Sequence, residues 1–404
     1  MNQPSEVPSL DVSNQWGLAS LLMAAMALPM LILYASGALA PYILSEGIVS
    51  PQLLGGFTLA SFGVAGLCSS SVGKWVKRSG TKKAGVLLFL FTAASLALLA
   101  RTQNIWLMLA AAGLCGFAQA LANPMTNLAI ATQVQAQRRP FVVGLKQSGV
   151  QLSALIAGSL MPFVANHLGW RFAIGMTVPL CLMFAFIVMF YRWERKSSAV
   201  KPKPRGDAKP KTVGYLMMAQ GLVGVVLAGF VTQVPILATE LGLTPSEAAF
   251  SITLFGFAGL LSRLVLTPLA SKMNHQSDMF QYLILLAIVA IIITFSANAN
   301  QIWMLYIGVV GIGSTLVATN ALAMAMIVSE PSLGDVSVAS GRVSSAFFWG
   351  VAAGSLLYQF VVGALESTQA GVILFVVLLM ISLLSLHILR RSLDKAKHSV
   401  ETTV

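Results

Sequence analysis

The feature that most constrains this chain is a succession of about a dozen apolar runs of 18 or more residues, each long enough to cross a bilayer. A helix of that length spans the roughly 30 Å hydrocarbon layer at a rise of about 1.5 Å per residue. Only 9% of the side chains are charged, whereas soluble domains carry roughly a quarter. We therefore exclude a water-soluble fold and predict a polytopic helical membrane protein. The expected spans lie near residues 17–40, 51–73, 84–101, 105–130, 141–163, 171–191, 213–237, 246–270, 279–296, 301–328, 338–364 and 369–389.

The net charge of +12 is distributed in a way that indicates a membrane orientation and excludes a nucleic-acid partner. Every Lys and Arg except Arg101, Arg171, Lys146, Arg263 and Arg342 falls in tails or loops on one side of the twelve-span arrangement. Such a bias marks the cytoplasmic side of a membrane protein. We therefore expect a multi-pass protein with both termini in the cytoplasm. Short loops without an N-glycosylation sequon favour a bacterial inner membrane.

The sequence contains an internal repeat, because its two halves match at a shift of about 195 residues. At this shift Lys146 falls near Arg342, Asn123 near Asn320, and residues 62–69 near residues 255–262. We predict an N-terminal six-helix half (1–191), a basic, Pro-rich cytoplasmic linker (192–212) and a C-terminal six-helix half (213–404). Two such halves are typical of transporters with a substrate site between the repeats.

Over essentially its whole length the chain resembles the major facilitator superfamily. The family's loop signature between the second and third spans has a glycine, an acid, an arginine, a second glycine and a lysine. The acidic position is occupied by Lys77, and the corresponding position of the second half holds Ser271. The resemblance implies an all-α membrane fold of twelve transmembrane helices in two pseudo-symmetric halves, with a loop that acts in gating. The matching gating-loop residues are Gly73, Arg78, Gly80 and Lys82.

Charges within the predicted spans are exclusively basic. All 13 acidic residues can be placed in tails, loops or span ends, whereas Lys146, Arg263 and Arg342 lie within the fifth, eighth and eleventh spans. A buried cation without a carboxylate is unfavourable by several kcal/mol, and an anionic ligand would compensate it. We predict that these three residues bind a small organic anion. Snorkelling to the headgroups, or bonding to carbonyls at an inner gate, remains open as their alternative role.

The eighth span carries a second, more local resemblance. Arg263 begins the spacing Arg-x-x-x-Thr-x-x-Ala-Ser, which is similar to a pattern in the oxalate-formate antiporter and monocarboxylate transporter families. There the arginine holds the substrate carboxylate, and the oxalate-formate family has a second cation in the eleventh span, where this chain has Arg342. The monocarboxylate family's acid one turn before the arginine is replaced by Gly259. The resemblance implies a mono- or dicarboxylate substrate.

Neutral polar and aromatic residues complete the predicted site. Gln119, Asn123 and Asn127 recur every four residues and so form one stripe on the fourth span. Asn320 occupies the repeat position of Asn123 in the tenth span. Amides at such positions also serve as hydrogen-bonding contacts between membrane helices, which stays open as the alternative. The aromatic rings that could pack on an apolar part of the substrate are those of Tyr34 and Trp349.

These patterns favour a secondary transporter that moves a small organic anion by alternating access. Coupling to protons or to a counter-anion stays open, and Lys146 is the proposed coupling group because a desolvated amine can release its proton. A drug-proton antiporter is the alternative, although Ala112 and the residues around it lack the basic antiporter motif of the fourth span. The sequence contains no paired acids, His cluster or nucleophile with a base that would indicate an enzyme. We expect a monomer without cofactor or metal.

Overall fold

The computed structural model describes residues 12–47, 51–191, 193, 210–273 and 275–401, and within these ranges the chain contains helices and no strand. Two single turns of 3-10 helix, Ala136–Arg138 and Pro331–Leu333, precede helices. The helices are α1 (Val12–Ala38), α2 (Ala40–Ser45), α3 (Pro51–Arg101), α4 (Ile105–Gln133), α5 (Arg139–Leu168), α6 (Trp170–Gly175), α7 (Val178–Phe190), α8 (Pro210–Glu240), α9 (Pro245–Ala270), α10 (Gln276–Phe295), α11 (Ile302–Ser329), α12 (Val336–Leu365) and α13 (Thr368–Glu401).

These helices form the twelve expected spans. In the described ranges, 10 helices are long and apolar enough to cross a membrane, and α1 adds a shorter apolar stretch, Trp16–Ile32. Helix α3 supplies two spans, because the backbone turns at Gly80, whose φ of 80° suits glycine. Helices α6 and α7 together supply one span. The prediction of an all-α, twelve-helix membrane protein is confirmed.

The segment around the gating loop differs from the expected boundaries. Spans were predicted to end near residue 73 and to resume near residue 84, whereas α3 is helical on both sides of Gly80. The basic residues of this segment therefore lie on helical turns rather than in an extended loop. The predicted linker 192–212 lies almost wholly outside the described residues, and α8 begins within it, at Pro210.

Side chains that cap the helix starts hold several spans in place. Asn104 accepts hydrogen bonds from the backbone N–H groups of Trp106 (2.8 Å) and Leu107 (3.4 Å) at the start of α4. Asp335 does the same for Ser337 and Val338 at the start of α12, both at 3.1 Å. These caps satisfy backbone donors that a helix leaves unpaired in its first turn.

Close backbone contacts organise each set of six spans in the same way. We call α1–α7 the first half and α8–α13 the second half. In the first half Gly149 of α5 lies against the Met23 carbonyl of α1, and in the second half Gly350 of α12 lies against the Gly221 carbonyl of α8. A side chain at either glycine would collide with that backbone. Small residues thus let the helices pack closely. Close packing matters in a membrane because no hydrophobic effect of water drives helices together there.

The two halves contact each other at one end of the bundle. We call it the basic end, because three of the segments that lie there, 74–83, 134–138 and 271–273, contain Lys or Arg; the fourth is 330–335. A Cβ atom on Gly73 of α3 would lie 2.6 Å from the Ser337 carbonyl oxygen of α12, and one on Gly144 of α5 would collide with the Arg263 carbonyl of α9. Towards the opposite end, Gly63, Gly158 and Gly256 have no neighbouring atom within 4 Å of a Cβ position. The halves are therefore in backbone contact at the basic end, whereas these three positions towards the opposite end are open.

Replacement of Gly144 by alanine tests this closure. The added methyl group meets the Arg263 backbone, so we expect Gly144→Ala to cost about 1–3 kcal/mol through overpacking and to lower the melting temperature. Gly158→Ala, on the same helix, should leave the melting temperature equal or slightly higher because its site is open. Thermal unfolding of the purified protein measures both. Equal melting temperatures for the two variants would contradict the described contact.

Candidate functional site

The most unusual feature of the core is a lysine buried between the helices of the first half. Lys146 of α5 is 0% exposed. Its Nζ donates to the Thr126 hydroxyl at 2.6 Å and to Asn123 Oδ1 at 3.2 Å, both on α4. Thr126 can accept this bond because its own hydroxyl proton is donated to the Ala122 carbonyl. The ammonium group is therefore bound by neutral oxygens, and its third donor has no partner among the described residues.

A second buried cation lies at the contact between the halves. Arg263 of α9 is 4% exposed. Its Nη1 donates to the Gln147 carbonyl of α5 at 2.6 Å, and its Nε donates to the Val317 carbonyl of α11 at 3.0 Å. The Nη2 atom has no hydrogen-bond partner among the described residues. Tyr34 of α1 is half-buried and close enough to Arg263 to interact with it electrostatically. The Nη2 donors are thus available to a ligand.

Asn123 connects the lysine to the second half. Its Oδ1 accepts from Lys146 and also from Gln147 Nε2 at 2.9 Å, while its Nδ2 donates to the Ser344 hydroxyl of α12 at 3.0 Å. Gln147 in turn offers its carbonyl to Arg263. The two cations therefore belong to one hydrogen-bonded network that crosses between the halves. We call Lys146, Asn123, Gln147 and Arg263 the cation network.

No carboxylate of the described residues reaches this network. The four ion pairs in the described ranges are Lys77–Asp335, Arg171–Glu46, His275–Asp394 and Arg390–Asp278, and none of them includes Lys146 or Arg263. The described ranges also contain no group of three or more His, Cys, Asp or Glu side chains that could hold a metal. When both groups are protonated, no carboxylate of the described part of the chain cancels their charge.

The predicted amides occupy different surroundings. Asn127 donates to the Ser340 hydroxyl at 2.8 Å and to Met324 Sδ at 3.1 Å, so it joins α4 to the second half. Gln119 bonds within the first half, to the Pro29 carbonyl at 3.2 Å and the Ser61 hydroxyl at 3.0 Å. Asn320 is buried, and its Oδ1 has no hydrogen-bond partner in the part of the chain that the structure describes. Of the predicted amides, Asn123 contacts Lys146 directly and Asn127 lies one turn further along α4.

Arg342 and Trp349 are not brought to the cation network. Ser340 and Ser344 both bond to α4, and a residue two positions away on a helix points about 160° from each of them. Arg342 therefore points away from α4, is half-buried, and makes no ion pair or hydrogen bond with a described residue. Trp349, nearly two turns further on the same face, is 44% exposed and packs beside Gly66.

The gating-loop residues divide into two groups. Gly73 forms the backbone contact with α12, and Gly80 makes the turn in α3. Arg78 and Lys82 are exposed and form no ion pair within the described ranges. The ionic contact between the halves is made instead by Lys77, whose Nζ lies 3.5 Å from Asp335 Oδ2. The loop position where the family has an acid therefore holds the basic residue Lys77. The acid of the ion pair is Asp335, the N-cap residue of α12.

At the opposite end, the described ion pair stays within the first half. Glu46 accepts a hydrogen bond from Arg171 and another, of 2.8 Å, from Trp170 Nε1. The Arg171 guanidinium, aided by Trp170, holds the pKa of Glu46 below its usual value. This contact fastens the end of α2 to α6. In the described ranges, no ion pair joins the two halves at this end.

Several residues of the site were not predicted from the sequence. Thr126, Gln147 and Asp335 each make a contact described above, and Gln151 lies one turn beyond Gln147. The spacing of Gln147 and Gln151 placed both on one face of the fifth span beside Lys146. This spacing is the sequence signal that could have identified Gln147 and Gln151 as residues of the site.

The fold and the network between two six-span halves define a membrane transporter. The sequence profile of the Major Facilitator Superfamily matches residues 17–333 and 216–403, and the chain belongs to this family. Its members are transporters rather than enzymes. No curated protein matches the chain.

Solved structures of the same fold are similar over most of the chain. The human organic anion transporter MFSD10 (TETRAN) has a TM-score of 0.74 and 13% identity, covering 92% of this chain and 98% of that one. The Major Facilitator Superfamily transporter FucP in the outward conformation has a TM-score of 0.72 and 13% identity, with the same coverage. A variant of the E. coli fucose:proton symporter FucP has a TM-score of 0.69 and 14% identity, again covering 92% and 98%.

The Lys77–Asp335 pair generates a test of the closed end. Asp335→Asn keeps an oxygen that can cap α12 but removes the ionic attraction, so we expect the closed population to fall by a few-fold at low salt. Lys77→Gln should have the same effect, whereas Lys74→Gln, an exposed neighbour without an ion pair in the described ranges, should have none. Distances between spin labels across the basic end measure the populations. A closed population unaffected by Lys77→Gln would show that the pair does not stabilise this state.

Proposed function

We propose that this protein is a secondary transporter that moves a small organic anion, of mono- or dicarboxylate type, by alternating access. The observation that carries the proposal is the pair of buried cations, Lys146 and Arg263, which have no carboxylate partner among the described residues. The effective cost of burying an ion is several kcal/mol even after relaxation. The neutral oxygens around both groups offset part of this cost, and an anion would offset more.

The geometry of Arg263 suits a carboxylate. Its fork can donate two parallel hydrogen bonds to the two oxygens of a carboxylate. In the described structure Nε and Nη1 hold carbonyl oxygens of two helices, while Nη2 is free among the described residues. A carboxylate that bonds to Nη2 and Nη1 would compete with the Gln147 carbonyl for the guanidinium. Substrate binding would thereby weaken one of the contacts that hold the basic end closed.

The alternative function is a drug-proton antiporter. Cationic drugs require acidic or aromatic partners, and the cation network would repel them. The similar folds do not decide between the two classes, because at 13% and 14% identity they show the fold alone. MFSD10 is named an organic anion transporter and FucP a fucose:proton symporter. The charge of this chain's own network therefore supports the anion.

We assign the basic end to the cytoplasm of a bacterial inner membrane, because its loops carry the Lys and Arg excess that marks that side. Closure at this end then corresponds to an outward-open state. The similarity to FucP in its outward conformation supports this assignment. Transport would require the Gly73–Ser337 and Gly144–Arg263 contacts to separate while the opposite end closes.

Replacement of Arg263 tests the substrate class. We expect mono- or dicarboxylates to raise the melting temperature of the parent, cationic drugs to have no effect, and Arg263→Ala to abolish the carboxylate response. Arg263→Lys keeps the charge but loses the fork, so affinity should fall by roughly tenfold or more. Arg171→Lys, at the opposite end, serves as the control. Stabilisation by cations alone, or an unchanged carboxylate response in Arg263→Ala, would contradict the proposal.

Replacement of Lys146 tests the coupling. A buried lysine can release its proton, whereas an arginine remains protonated at physiological pH. If Lys146 couples anion movement to protons, Lys146→Arg should still exchange anions in proteoliposomes but should lose acceleration by an acid gradient. The exposed control Lys74→Arg should behave like the parent. Equal acceleration in Lys146→Arg and the parent would assign coupling to another group or to a counter-anion.

A further inference from the structure

Gln151 of α5 lies in an unusual position at the contact between the halves. Only 4% of its surface is exposed and its amide makes no hydrogen bond with any residue that the structure describes, yet neither amide atom is fully enclosed. An amide that is nearly buried and unpaired gains a hydrogen bond from a ligand that reaches it. A group in this state indicates either a cost the fold tolerates or a position that a ligand completes.

The helix register places Gln151 beside Arg263. Helices α5 and α9 run in opposite directions, so that Gly144 faces the Arg263 backbone, the Gln147 carbonyl receives Arg263 Nη1, and Gln151 faces Gly259. Gly259 precedes Arg263 by one helical turn, about 6 Å along the axis. Gln151 therefore lies about one helical turn from Arg263, on the side away from the basic end.

The absence of a side chain at position 259 is what leaves room for the amide. A Cβ atom on Gly259 would lie 3.2 Å from Gln151 Nε2 and 2.7 Å from Val317 Cγ1. Val317 also supplies the carbonyl that holds Arg263 Nε. The Gln151 amide thus lies beside Gly259, one helical turn from Arg263, and near Val317, whose carbonyl binds Arg263 Nε.

We propose that Gln151 is a specificity-determining residue, whose amide bonds to a polar substituent of the anion held by Arg263. This rests on the proposed function. An amide can donate to and accept from a hydroxyl group, and the spacing of one turn fits a substituent close to the carboxylate. The transporter should therefore prefer short hydroxylated carboxylates to their unsubstituted counterparts. A site with a buried polar group discriminates against ligands that leave this group unpaired.

Two matched pairs of probes test the preference: glycolate against acetate, and malate against succinate. Affinities are measured by thermal shift on the purified full-length protein and by competition in proteoliposomes. The parent should bind the hydroxylated member of at least one pair roughly tenfold more tightly. Gln151→Leu should remove this preference and leave the affinity for the unsubstituted acid unchanged. Gln151→Leu loses no hydrogen bond to a described residue, so the variant should still fold.

Two further variants control for packing and location. Gln220 of α8 is fully buried, and both its amide atoms lack a partner among the described residues, so Gln220→Leu makes the same chemical change away from Arg263 and should leave selectivity intact. Gln151→Glu places a carboxylate beside Arg263 and should abolish binding of all four acids.

The outcomes separate the two proposals. If the parent binds carboxylates without preference for the hydroxyl group, or if Gln151→Leu weakens both members of a pair equally, the role of Gln151 is overturned while the anion transporter stands. If Gln151→Glu binds the acids as the parent does, Gln151 does not adjoin the ligand. If the parent binds none of the four acids but binds cations, both proposals are overturned.

Discussion

Two basic side chains buried without a carboxylate partner among the described residues are the constraint on which the proposed function depends. Lys146 and Arg263 are taken out of water, and within the described ranges they are bonded only to neutral oxygens of threonine, asparagine and the backbone. Each such contact stabilises a positive charge less than a carboxylate would. The proposal rests on the attraction for an anion that such a network would retain, and the members of the network come from both halves. A ligand that enters it acts on the same bonds that hold the halves together.

The closed end depends on backbone approach as much as on charge. Gly73 and Gly144 let helices of the two halves touch at the main chain, which places the Gln147 carbonyl within reach of Arg263. The Lys77–Asp335 pair lies at the edge of this contact and is half-exposed, so it contributes modestly. Towards the opposite end Gly63, Gly158 and Gly256 have no neighbouring atom within 4 Å of a Cβ position. Steric complementarity thus sets which contacts can form, and the charged groups bias the balance between states.

Much of the fold could be predicted from the sequence, because a membrane imposes a length and an apolar composition on every span. The two buried cations could also be identified, since a charge within an apolar run is conspicuous. Their environments could not be predicted. Lys146 and Arg342 occupy related repeat positions, yet Lys146 is fully buried against α4 while Arg342 points away from it. A helix that is apolar on all sides does not reveal which face meets a neighbouring helix.

The polar residues that complete the site were hidden for the same reason. Gln147 acts through its main-chain carbonyl, which the identity of a side chain does not predict. The sequence does not distinguish Gln151 from an amide that joins two helices, because only the structure shows that it lacks a partner among the described residues. Asp335 was expected as a loop acid, and its pairing with Lys77 depends on the relative position of two distant helices.

The most direct measurement of the central claim is anomalous diffraction from crystals of the full-length protein soaked separately in bromide and in rubidium. Surplus positive charge at the cation network predicts a bromide peak within hydrogen-bonding distance of Arg263 Nη2 and no rubidium peak there. A rubidium peak at this position, or no ion of either sign, would contradict the claim that the network attracts an anion.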